Sequence, residues 1–304
     1  MAVKLGLSVG LMAFVLRDTS LDSLWQTFRR VQPLWIAAAM SMHGFMAVSV
    51  WRWRLLLDAQ HVHVPARTLT ESFWVALFFN NFPPSNIGGD VVRIADTSKL
   101  ARSKTTATMV VLVDRHPGLV RAALGGRGGR HRRPDDRHRH PRHHLDRGGA
   151  LAALAMCLLL FFAPGLLDLV LSSAARPRPS LGARLEKLQA TLTKFRQRPS
   201  ALAGALLGAL LVQGVIVAFY SLTARSLAVP LPLVMAGVLV PVALVLQMVP
   251  VSINGFGVRE AVFSFFFARF GLSVEAAVAV SLLGTVLIML FSLGGGALFL
   301  LRKH

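Results

Sequence analysis

The sequence predicts an all-α polytopic membrane protein, with about six transmembrane helices and two re-entrant, broken-helix segments related as an inverted repeat. Three observations predict it. The composition suits a lipid-embedded chain: of 304 residues 54% are hydrophobic and 15% charged, and mean hydropathy is +0.57. Runs free of Asp, Glu, Lys and Arg cover 5–16, 31–51, 72–89, 149–167, 199–224, 226–258 and 276–301, and a span needs about 20 mainly apolar residues. Two of these runs, finally, contain the same short motif. Pro84-Ser-Asn-Ile-Gly-Gly-Asp-Val-Val-Arg93 aligns without a gap on Pro250-Val-Ser-Ile-Asn-Gly-Phe-Gly-Val-Arg259, with Pro, Ile, Gly, Val and Arg at matching offsets. Pro and Gly interrupt helices and Arg is costly at membrane depth, so a pair of such breaks in corresponding places points to a site between two halves.

The elements follow in chain order. The run 5–16 is short for a span and no A-x-A-like site follows it, so it reads as a truncated or tilted first crossing rather than a signal peptide. Residues 18–30 place Leu21, Leu24, Trp25 and Phe28 on one helical face, the pattern of an interfacial amphipathic helix. A second span runs from Pro33 to Val50 and stops at Trp51-Arg-Trp-Arg54, which reads as an aromatic belt with cytoplasmic anchors. Phe73 to Phe82 is apolar, breaks at Pro83-Pro84, and gives way to a polar helix from Asp90 to Lys104. That suits a re-entrant hairpin better than a through-span. The longest uncharged run, 226–258, is punctuated by Pro230, Pro232, Pro241 and Pro250, again favouring broken helices, and the last span, 276–301, ends at Arg302-Lys303.

Charge fixes a topology. The net charge of +19 is spread along the chain, much of it flanking apolar runs, so it reads as positive-inside loops and not as a nucleic-acid surface. With both termini cytoplasmic, Arg52 and Arg54 return inside, crossings near 106–125 and at 149–167 follow, and the basic loop and helix 172–198 lies inside. The two echoes then enter from opposite faces, which is inverted-repeat logic. The lone Cys157 offers neither a disulfide framework nor a metal site. The expected location is the cell membrane, as a single multi-pass domain over 1–304.

One segment disagrees with its surroundings. The topology needs a span at 116–148, yet residues 121–148 are dense in Arg, His and Gly. Each Arg at a helix centre costs about 2.5–3.5 kcal/mol, so this stretch cannot cross. An Arg/Gly-rich nucleic-acid arm and a His-rich metal tract are two readings. The favoured one is out-of-frame translation of a span. Ala, Val and Leu codons of a GC-rich gene, shifted, yield mostly Arg, Gly, Pro, His and Asp, and the block contains no Lys.

Ionisable groups at membrane depth mark sites. The candidate substrate contacts are Asn86, Asp90 and Arg93 in the first echo, Asp114 and Arg115 before the anomalous block, and Asn254, Arg259 and Glu260 in the second echo. A helix restarting after each Gly-rich break would aim backbone N–H groups into the cavity, and with Arg93 and Arg259 would suit a phosphate or carboxylate. Bland readings stand beside these: Asp90 as an N-cap, Arg259-Glu260 as interfacial charges, Asp114-Arg115 as a span end, His43 as a packed residue, and Gly294-Gly-Gly296 as a close-packing face. No residue set calls for a catalytic, metal or cofactor role, and no Walker A motif is present.

Trp51-Arg-Trp-Arg-Leu-Leu, Phe79-Asn-Asn-Phe-Pro-Pro-Ser-Asn-Ile-Gly-Gly-Asp-Val-Val-Arg93, Val113-Asp-Arg-x-x-Gly118 and Pro250-Val-Ser-Ile-Asn-Gly-Phe-Gly-Val-Arg-Glu260 occur in that order before a glycine-rich final span. Across nearly the whole chain except 116–148, this resembles the lysylphosphatidylglycerol synthase transmembrane region, or flippase-like domain family. The resemblance implies a non-enzymatic lipid flippase with re-entrant helices, moving an anionic or aminoacylated phospholipid or a polyprenyl-linked lipid between leaflets. Lipid lysylation is not expected, because the synthase's soluble aminoacyl-transferring domain has no counterpart here. The expected partners are the membrane lipid and a lipid synthase or glycosyltransferase. In the leading expectation Arg93 and Arg259 hold the phosphate, while Asp90 and Glu260 pair with them or with a cationic head group. The alternatives are a membrane scaffold or accessory subunit of a lipid- or glycan-modifying enzyme, or a lipid-linked transferase.

Overall fold

A computed structural model describes residues 2–17, 19–82, 88–101, 103–115, 198–247 and 255–302. The described residues are helical, with no strand among them. In chain order the helices are α1 (Ala2–Arg17), α2 (Leu21–Arg29), α3 (Pro33–Ser41), a 3-10 turn (Met42–Phe45), α4 (Met46–Ala59), α5 (Ala66–Asn81), α6 (Gly88–Ala101), α7 (Lys104–Arg115), α8 (Pro199–Ser226), α9 (Leu233–Gln247), α10 (Val258–Arg269) and α11 (Val274–Leu301). Three stretches are long and apolar enough to cross a membrane: Pro33–Ala59, Ser200–Ser226 and Val274–Leu301. The anomalous 116–148 stretch, the run 149–167 and the basic loop 172–198 (Arg198 apart) fall outside the described residues, as do Asn86 and Asn254.

The local chemistry explains where the helices start and stop. Ser20 caps α2 by accepting from the Ser23 N–H at 3.3 Å, while Leu24 and Phe28 pack on the core and Trp25 is exposed. That is the amphipathic helix expected of residues 18–30. The second span differs from its sequence reading. It does not stop at Val50 but passes through the His43-Gly44 turn and on to Ala59, because Trp53 and Arg52 find partners inside the protein. The polar helix expected over 90–104 is α6, which ends at Ala101, and α7 starts at Lys104, where the Ser103 hydroxyl accepts from the Thr106 N–H at 3.2 Å. Pro241 sits within α9 instead of ending it.

Two sets of four helices each pack in sequence order. In the first, α4 packs on α5, α5 on α6 and α6 on α7; in the second, α8 packs on α9, α9 on α10 and α10 on α11. The helical stretch Pro33–Ala59, 27 residues, and α8, 28 residues, are nearly equal in length, and each is followed by a connection of equal length, 60–65 and 227–232. Each set then carries a helix–break–helix, with the echoed motif spanning the break. The sets join where α3 and α4 meet α8 and where α5 meets α11.

There are two apolar cores, and α8 contributes to both. One is built from Phe219, Tyr220, Leu239, Phe263, Phe267 and Ala279, the other from Trp53, Leu56, Leu57, Leu69, Val110 and Leu202. Small residues set the closest approaches. A Cβ on Gly89 would meet the Ala76 carbonyl and the Asn80 side chain, so the first broken pair closes only with glycine there. A Cβ on Gly295 would meet the Trp74 carbonyl, and one on Gly296 the Phe78 ring. The glycine run 294–296 is therefore the face on which α11 packs against α5.

Candidate functional site

Each helix that follows a break carries a buried arginine. Arg93, on α6, donates from Nη2 to Asp114 Oδ2 at 2.7 Å. Arg52, on α4, donates from Nε to Asp114 Oδ1 at 2.7 Å. One carboxylate, its side chain only 3% exposed, thus holds two guanidinium groups. Arg93 also stacks over Trp53, its guanidinium carbon 4.2 Å from the ring centroid and 5.7 Å from that of Phe73. Gly208 of α8 lies against the Arg52 side chain and makes room for it. The cluster carries one more positive than negative charge, and the rings supply part of the compensation through their π faces.

The second arginine is held differently. Arg259 lies at the start of α10, next to Glu260, and both are buried. Glu260 Oε2 accepts from the Gly257 N–H at 2.7 Å, capping the helix. Glu260 Oε1 accepts from Ser281 Oγ at 2.7 Å and from Arg259 Nη2 at 3.3 Å. Arg259 Nε donates to Ser281 Oγ at 3.0 Å. Gly257 has φ +83°, and a Cβ there would also meet Leu11 and the Ser8 carbonyl of α1, so glycine is needed both for the turn and for the approach of α1. Glu260 therefore spends its whole carboxylate inside the protein. Arg259 Nη1 takes no part in these bonds.

Between the sets lies a cavity of about 370 Å³. Its walls are chiefly apolar, among them Met46, Phe73, Leu77, Ile216, Leu244 and Ile288. Its polar groups come from the ends of the broken segments: Asn80 and Asn81 end α5, Gln247 ends α9 and Arg259 begins α10. Ser49, Tyr220 and Thr285 add hydroxyls. Asn80 Oδ1 accepts from the Gly89 N–H at 3.0 Å, which ties the cavity wall to the break. His43 lines the cavity with its ring packed against Phe219 and Phe291, centroids 5.1 and 4.3 Å away.

The residues singled out from sequence are placed as follows. Arg259 lines the cavity and Glu260 lies behind it, fully buried. Arg93 and Asp114 pair with each other behind Phe73, whose ring lines the cavity. The two arginines thus do not share one cavity wall, and Arg93 takes Asp114 as its partner. Asp90 falls in the first turn of α6, where an acidic side chain meets the positive end of the helix. Arg115 ends α7, and Asn86 and Asn254 fall in the two breaks outside the described residues.

Sequence reasoning passed over Arg52, Trp53, Tyr220, Gln247 and Ser281. A signal for two of them existed. Trp53 and Tyr220 each stand six residues before the end of their helix, Ala59 and Ser226; Trp53 lies under Arg93, and Tyr220 lines the same cavity as Arg259.

Compared with known families, residues 1–296 match the family model described as the lysylphosphatidylglycerol synthase TM region. Comparisons with curated proteins and with solved structures gave no match.

Proposed function

This chain belongs to the lysylphosphatidylglycerol synthase TM region family, and from that premise we propose that it carries a phosphate-bearing lipid between leaflets without chemistry of its own. One observation carries the reading: the ends of both broken segments, with Asn80, Asn81, Gln247 and Arg259, converge on a single cavity. Irregular backbone at membrane depth is tolerated only where it is buried in protein or lines a cavity. A guanidinium delivered there by a helix amino terminus is well suited to a phosphodiester, and the helix dipole adds to its field.

The same reading makes the two sets an inverted repeat about the cavity, each contributing a re-entrant hairpin from its own face. It is supported by the two long helical stretches of nearly equal length, their equal connections and the echo across each break. The basic loops support cytoplasmic termini in the cell membrane. Arg93 serves in the wall, holding α4, α6 and α7 together through Asp114.

The test is lipid movement in proteoliposomes with fluorescent phospholipids and a dithionite quench. Wild-type protein should expose inner-leaflet lipid to quenching, and Arg259→Gln should slow this at least about tenfold, the worth of one charge-assisted contact of roughly 1.4 kcal/mol or more. Equal rates for wild type and Arg259→Gln would remove Arg259 from the pathway.

A further inference from the structure

Resting on that translocation reading, we infer that the cavity binds a head group of net negative charge together with one proton, and that the proton goes to Nε2 of His43. Charge balance demands it. Arg259, at the cavity wall, is paired at 3.3 Å with the buried Glu260, so the two together bring no net charge. A phosphodiester then leaves one negative charge in excess, and an uncompensated charge among apolar walls is costly. Among the described residues lining the cavity the ionisable side chains are His43, Tyr220 and Arg259. A tyrosine cannot become a cation and an arginine is already one, whereas a histidine changes charge between about pH 5 and 8.

The geometry of His43 suits the role. It lies in the 3-10 turn that interrupts the first long helical stretch. Its Nδ1 is 3.3 Å from the Met40 carbonyl; a carbonyl only accepts, so Nδ1 carries the hydrogen and Nε2 is the basic nitrogen. Nε2 has no hydrogen-bond partner among the described residues. Phe291, its ring tilted by 34° at 4.3 Å, offers a π face to the charged form. No fixed carboxylate competes for that charge. The turn packs on α3, α4 and α8. α3 has no charged residue; on α4 Arg52 is held by Asp114, and Arg54 faces Asp58; on α8 Arg225 lies over Trp35. On the other elements near the ring, Glu71 of α5 pairs with Arg67, Glu275 lies in the first turn of α11, and Arg302 beyond its end pairs with Asp96. The volume of about 370 Å³ suits a single head group, which puts Arg259 and His43 on the same ligand.

The experiment is calorimetric titration of the purified full chain in detergent with short-chain phosphatidylglycerol, whose phosphodiester stays ionised throughout the range used. Two buffers of different ionisation enthalpy count the protons. More than about half a proton should be taken up per lipid at about pH 7, and affinity should fall about tenfold or more between about pH 6 and 8. Short-chain phosphatidylethanolamine carries its own balancing ammonium and should bind without uptake. His43→Gln should bind phosphatidylglycerol with neither the uptake nor the pH slope; should that variant not fold, the two lipids on the wild-type chain decide. Binding of phosphatidylglycerol without uptake, equal uptake with both lipids, or uptake that persists in His43→Gln overturns the inference, while lipid movement in proteoliposomes still answers for translocation. Proton-linked binding without lipid movement keeps the proton site and overturns translocation. Failure of both lipids to bind or move overturns both.

Discussion

Replacing Asp114 by Asn tests whether the charge cluster in the first set is a structural clasp. The side chain is 3% exposed and accepts two hydrogen bonds of 2.7 Å from Arg52 and Arg93. Asn preserves shape and one acceptor but removes the charge, leaving the buried Arg93 and the partly buried Arg52 guanidinium facing each other around a neutral amide. Two magnitudes compete. Counted as hydrogen bonds inside a membrane protein, at about 0.6 kcal/mol on average and at most about 1.7 each, the loss is roughly 1–3 kcal/mol. Counted as a broken buried ion pair, it is about 3–5 kcal/mol.

The second should win, because among the described residues the Trp53 and Phe73 rings are what remains against the buried Arg93 guanidinium once the carboxylate is gone. At roughly 2–4 °C per kcal/mol for a chain of this order of size, the melting temperature should fall by about 6–20 °C. The assay is intrinsic tryptophan fluorescence during heating in detergent at one fixed scan rate, with Trp53 beneath Arg93 as a natural reporter. Arg54→Gln is the control. Its contact with Asp58 is 3.8 Å long with side chains 52% and 33% exposed, so it should change stability by no more than about 0.5 kcal/mol. Adding Arg52→Gln to Asp114→Asn should cost less than the two changes summed, since it removes one of the stranded charges. A shift for Asp114→Asn below about 2 °C, or no larger than the control's, refutes the clasp.

Two further outcomes are expected. Gly295→Ala puts a methyl group against the Trp74 carbonyl and should cost at least about 1–3 kcal/mol by forcing α11 off α5; Gly214→Ala, with nothing within 4 Å of the added atom, should be neutral or stabilising by up to about 1 kcal/mol, both measured as melting shifts. Resequencing the gene should reveal compensating frameshifts bracketing about residues 116–149, since the Arg/His/Gly block cannot cross a bilayer; a clean frame, with the same block in relatives, sinks that reading.

How much was legible in the sequence depends on the range of the interaction. The breaks were legible because Pro and Gly act locally: Pro83-Pro84 and the glycines that follow end one helix and start another wherever they occur. The family was legible from short motifs around those breaks. Arg52 and Trp53 were misread, because Trp-Arg-Trp-Arg at the end of an apolar run has the composition of an interfacial anchor, and only the fold brings Asp114, separated by 62 residues, to Arg52. Trp51 and Arg54, on the other faces of the same helix, are exposed as an anchor would be. The motif was thus half belt and half core, a split that composition cannot show. The convergence of Asn80 with Gln247 is tertiary in the same sense, since each is merely an amide near the end of its own helix.

The two arginines show how one repeated sequence pattern can serve two purposes. Each partners a polar residue on the following helix at nearly the same separation: Asp114 lies 21 residues beyond Arg93, and Ser281 lies 22 beyond Arg259. Each has an aromatic residue nearby, six residues before the end of a long helix: Trp53 under Arg93 and Tyr220 lining the same cavity as Arg259. The difference is where the carboxylate sits. In the first set it stands on the following helix, so satisfying Arg93 means drawing α6 onto α7 and, through Arg52, onto α4. That arrangement locks helices together and turns the guanidinium away from the cavity. In the second set the carboxylate is the adjacent residue, Glu260, which caps its own helix, and the following helix offers only a neutral hydroxyl. The pair is then held within α10 and by Ser281, leaving an edge of Arg259 at the cavity wall. Moving one negative charge between helices turns a clasp into a candidate anion site, which is why the echoed arginines carry different roles in the function proposed.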